Sequence, residues 1–148
     1  DHLSYAARGR AVPSVLLGWD RGKQAIDIVR WPPLAAAAAN EHLDVLVQIH
    51  RLGQTRPLLF FPQASFSFAQ ALREAPDDTD KALSEACRKF HPQDFASSPG
   101  RSESEDPANA LAVRGRDPFA PGTPAAREFA ELALATYAPM LAAGEDAP

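Results

Sequence analysis

Residues 18–34 read GWDRGKQAIDIVRWPPL, and the fold class turns on how this stretch divides. Two short β-type runs, VPSVLLGW (residues 12–19) and AIDIV (residues 25–29), flank Asp20-Arg21-Gly22-Lys23. The Asp and Gly of that connection suit a tight hairpin turn. The first run is almost continuously apolar, which predicts a buried strand. In the second, Ile26 and Ile28 alternate with Asp27, which predicts one face in the core and one wetter face. Pro32 and Pro33 end the second strand, since neither can donate to a ladder, and pre-set the first turn of a helix.

Working outward, residues 34–52 read as that helix: five consecutive alanines favour it, and Leu43, Leu46, Val47 and His50 recur at helical spacing, with Gly53 as the stop. RPLLFFP (residues 56–62) is a bounded apolar run of strand length, predicted to lie centrally in the sheet and to be closed by Pro62. SFSFAQALREA (residues 65–75) predicts a short helix stopped before Pro76. Asp77, Asp78 and Asp80 then stand at the start of another helix, where negative charge meets the positive end of the dipole. Its apolar stripe is Leu83, Ala86, Cys87 and Phe90. Residues 91–110 are rich in Ser, Pro, Gly and acids and predict a mobile surface loop inserted into the domain. Thr123 and Pro124 open a terminal helix as N-cap and first residue. Phe129, Leu132, Ala133, Thr136, Tyr137 and Met140 mark one face, and Pro139 should kink the helix or end it near Ala138. The sum is an α/β class fold, a small mixed sheet flanked by helices, in a single domain over residues 1–148.

The chain has 148 residues, 45% hydrophobic and 23% charged, enough to build one core without staples. It begins at Asp1, partway along a helical pattern, as a piece of a longer polypeptide would. No leader or apolar span is visible, and the one cysteine has no partner for a disulfide or a zinc site. A cytoplasmic location is the expectation. The net charge of −4 argues against a nucleic-acid binder held by a generally basic surface. Arg8, Arg10, Arg21, Lys23, Arg30, Arg51 and Arg56 concentrate positive charge in the first third, so phosphate contacts belong there if anywhere.

A Mg²⁺-dependent nuclease built on such a hairpin needs one Asp on the first strand, and on the second an Asp/Glu-x-Lys triplet whose alternate residues point to one side. The end of the second strand is Asp27-Ile28-Val29-Arg30-Trp31. Aligned with the triplet, Val29 stands where a carboxylate is required and Trp31 where Lys is required. Sliding the register to use Asp27 puts Val29 at the Lys position, which fails equally. Asp20 reads as a turn residue. Cys87 reads as a small core residue in spite of Arg88 and Lys89 beside it. His2, His42, His50 and His91 have no ligand spacing, and the serines lie in no nucleophile elbow.

The series LSYAARG, the hairpin with Pro-Pro-Leu-Ala after it, RPLLFFPQASFSFAQAL, KALSEACRKF, AVRGRDPF and REFAELALATYAPML resembles, in the same order, the C-terminal domain of RecC, the gamma subunit of exodeoxyribonuclease V, the RecBCD helicase-nuclease. The resemblance implies a fold like that of the PD-(D/E)XK restriction-endonuclease class without its active site. It further implies a non-catalytic scaffold and DNA-guiding domain acting in double-strand break repair by recombination, with RecB and RecD as partners and DNA met through the full complex. The domain itself would then be no enzyme and hold no cofactor, ATP and Mg²⁺ belonging to the partner subunits. The fragment alone is expected to be monomeric, with no membrane attachment. Arg21, Lys23, Arg30, Trp31, Phe66 and Phe68 are the candidate contacts to DNA or a subunit. The competing reading is an active Mg²⁺-dependent nuclease domain with rearranged ligands.

Overall fold

The computed structural model describes residues 2–20, 24–91 and 102–146. They fall into two compact units, one comprising Asp1–Gln48 with Ala142–Pro148 and the other Ile49–Leu141. The fold is mixed α/β, with helices and an antiparallel sheet.

The first unit opens with helix α1 (His2–Ala7). His2 Nδ1 lies 2.8 Å from Ser14 Oγ, a hydrogen bond that ties α1 to the first residue of the next element. Strands β1 (Ser14–Asp20) and β2 (Ala25–Trp31) pair antiparallel over their full length, from Ser14 opposite Trp31 to Asp20 opposite Ala25. A two-residue strand β3 (Glu145–Asp146) adds to the far side of β2, with Val29 opposite Asp146 and Arg30 opposite Glu145. Helix α2 (Ala36–Gly53) starts two residues later than the prolines suggested, and ends at Gly53 as expected.

Three expectations are corrected here. The sheet is antiparallel at both described pairings, not mixed. β1 is not buried: Val15, Leu16, Leu17 and Trp19 are each more than half exposed, because its composition suits burial on both faces while the strand stands at the edge of the order β1-β2-β3. Residues 56–62 form no strand. Pro62 begins helix α3 (Pro62–Glu74) instead of closing a strand, and the Phe61 N–H donates to Ser65 Oγ at 3.3 Å while the Ser65 N–H donates to the Phe61 carbonyl at 2.7 Å. The backbone at Phe61 is extended, with its N–H and carbonyl spent on the helix that follows rather than on a neighbouring strand.

The apolar run of residues 58–61 instead centres the core of the second unit, with Leu59 and Phe61 fully buried. Helix α4 (Thr79–Phe90) presents Leu83, Ala86 and Phe90 to this core, as its stripe predicts. Helix α6 (Pro124–Ala143) contributes Phe129 and Ala133. The Phe61 ring is tilted against Phe90 with centroids 4.5 Å apart, Phe119 and Phe129 meet edge to face at 5.1 Å, and Phe68 meets Phe129 at 5.5 Å. Each of these buried phenyl groups contributes roughly 1.5–3 kcal/mol by leaving water. Thr123 caps α6 as expected, its Oγ1 accepting from the Ala126 N–H at 3.1 Å. The helix continues through Pro139 to Ala143, so the expected end near Ala138 does not occur.

Residues 92–101 of the expected loop lie outside the described residues. Beyond them the chain is structured, with a 3-10 turn (Glu103–Glu105) and helix α5 (Pro107–Ala112) capped by Asp106, whose carboxylate accepts from the Ala108 N–H at 2.8 Å. Glu103 is buried, and its carboxylate accepts from the Gln63 and Ala64 N–H groups at 2.8 and 2.9 Å. Phe61 at the N-cap of α3 has no side-chain oxygen, so a residue forty positions away supplies the missing cap. Glu128 likewise accepts from Arg56 at 2.9 Å and Arg116 at 3.1 Å, fastening the segments on either side of the core to α6.

Glu103→Ala should lower the stability of the second unit by about 1–3 kcal/mol, since the buried Ala64 N–H and the partly buried Gln63 N–H lose their acceptor. Glu103→Gln, which keeps one oxygen, should cost less. Urea unfolding of the three proteins reads this, and an unchanged midpoint for the alanine variant would remove the cap from the account. Tyr137, stacked on Phe60 at 5.9 Å and edge-on to Phe66 at 5.5 Å, has its phenol pushed above its ordinary value, first by burial and then by the negative charge of Glu103. Folding thus favours the neutral phenol. The stability it contributes is present below the ordinary tyrosine pKa of about 10 and is lost as pH rises through the higher folded-state value. Tyrosinate absorbance, taken as the difference between the protein and Tyr137→Phe, should show this late ionisation and an earlier one in Glu103→Gln.

Candidate functional site

Because successive side chains of a strand point to opposite faces, the pairing of β1 with β2 sorts the hairpin into two surfaces. Asp27, Val29 and Trp31 alternate along one face of β2, opposite Gly18, Leu16 and Ser14 respectively. Arg30, Ile28 and Ile26 lie on the other face, opposite Val15, Leu17 and Trp19.

The first face carries the positions that the sequence reading compares with a metal-binding triplet. Val29 and Trp31 are half-buried there, and neither offers an oxygen to a hard divalent ion. Asp27 is exposed. Opposite it, a Cβ added at Gly18 would meet nothing within 4 Å, so the surface over that carboxylate is open. The backbone register also pairs Asp146 with Val29. Among the described residues, no group of three or more His, Cys, Asp or Glu is placed to hold a metal ion.

The second face is apolar. Val15, Leu17, Trp19 and Ile26 are each more than half exposed, Ile28 is half-buried, and Arg30 is exposed at one end beside Val15. Four aliphatic side chains and one indole form a continuous surface that water solvates poorly. Covering such a patch would be favourable by roughly 25 cal/mol per Å².

The remaining candidates are scattered. Arg21 and Lys23 lie outside the described residues. Phe66 is partly exposed, its ring edge-on to Tyr137, whereas Phe68 is fully buried against Phe129. The expectation that Phe68 contacts DNA or a subunit is therefore corrected: on α3, residues 66 and 68 fall on different sides, and the core takes the second. Of the basic residues of the first third, Arg8, Arg10, Arg30 and Arg51 are exposed, and Arg56 is engaged by Glu128. The acidic cluster is accounted for by Asp78, whose carboxylate caps α4 by accepting from the Lys81 N–H at 3.0 Å. Burial, and then the charge of Asp117, push the Cys87 thiol up, which keeps it protonated and a poor nucleophile.

The exposure of Trp19 gives a direct reading of the apolar face. In a Trp31→Phe background, the fluorescence of Trp19 in the isolated protein should be quenched by acrylamide nearly as readily as that of a free indole. An indole shielded from the quencher would contradict an open second face.

The family model described as RecC C-terminal domain matches residues 1–73. No curated protein matches the chain. The matched span holds α1, the whole β1–β2 hairpin, α2 and nearly all of α3, with the positions Val29 and Trp31 inside it. Over residues 1–73, about half of its length, the chain is thus similar to the RecC C-terminal domain.

Proposed function

We propose that this chain is a non-catalytic scaffold and DNA-guiding domain of the RecBCD helicase-nuclease, acting in double-strand break repair by recombination. The similarity of residues 1–73 to the RecC C-terminal domain supports a place in that complex. The observation that carries the non-catalytic reading is the composition of the first hairpin face, where valine and tryptophan stand at the positions that a carboxylate and a lysine would need to occupy. The apolar second face supports the scaffold role, because an exposed patch of Val15, Leu17, Trp19 and Ile26 gains from being covered by another protein surface. In this reading the partners are the RecB and RecD subunits, DNA is met through the assembled complex, and ATP and Mg²⁺ act on the partner subunits. The 148 residues work as one RecC C-terminal-like domain on a sheet related to that of PD-(D/E)XK nucleases. Among the described residues, no helix is long and apolar enough to cross a membrane; the place of work is the cytoplasm, and the isolated fragment is a monomer.

Arg30, at the rim of the second face, and Trp31, at the end of the first, are the hairpin residues proposed to meet DNA or a subunit, together with Arg21, Lys23 and, on α3, Phe66. A second reading draws on the exposed carboxylate of Asp27 opposite Gly18: with Asp20 further along β1, rearranged ligands could build a Mg²⁺ nuclease. Purified protein incubated with linear DNA and Mg²⁺ or Mn²⁺ separates the two. Hydrolysis at background level is the expected result. Cleavage that disappears in Asp20→Ala or Asp27→Ala would replace the scaffold reading with the nuclease one.

A further inference from the structure

We draw no further inference here: the strongest candidate, the exposed apolar face of the β1–β2 hairpin with the free edge of β1, belongs to the site already described, and nothing in the structure shows what covers it.

Discussion

The antiparallel ladder between β1 and β2 is the constraint on which the functional reading depends. Side chains alternate with a period of two, so a slip of one residue would exchange the two faces. Leu16 stands opposite Val29 and Ser14 opposite Trp31, so the occupants of each face of the hairpin are fixed. Mg²⁺ asks for oxygen ligands at close range, and a lysine acting on water needs its ammonium at the same edge. Val29 and Trp31 can meet neither demand at any rotamer. Asp27 is exposed on the same face, where water solvates its carboxylate.

The second face carries the opposite lesson. Strands with apolar residues on both sides are built to sit inside a layered sheet, yet β1 is an edge strand with four large apolar side chains in water. Leaving that surface exposed is unfavourable by roughly 25 cal/mol for every Å² that could be covered. A domain whose task is to be packed against other polypeptides has a reason to carry such a strand. The two faces thus differ in kind, one half-buried at Val29 and Trp31, the other largely apolar and exposed.

Local signals were the legible part of the sequence. The hairpin, the stop at Gly53, the acidic start of α4 and the Thr123-Pro124 start of α6 each rest on residues within a few positions of one another, and each is found where the sequence places it. What depends on distant partners was not legible. The extended segment 58–61 has the composition of a central strand, and only the demand of α3 for backbone groups and of the phenyl cluster for apolar side chains shows why it pairs with no strand. Glu103 looked like one more acid in a polar loop; its value comes from α3, whose own N-cap is a phenylalanine. At the candidate site, the residue types at 29 and 31 are plain from the sequence, and neither valine nor tryptophan offers an oxygen to a hard cation. Exposure was not legible, since apolar composition is the same whether a strand is covered by its own chain or by another. Phe66 and Phe68 illustrate the same limit on a helix, where two residues of one type divide between surface and core.

The central claim is that the hairpin cannot gather a divalent cation. Electron paramagnetic resonance of Mn²⁺ titrated into the purified protein tests it without reference to any reaction, since bound and free Mn²⁺ give distinct signals. The account predicts that the free-ion signal grows in proportion to the metal added, with no saturable site. Stoichiometric binding that is lost on substituting Asp27→Ala would contradict it.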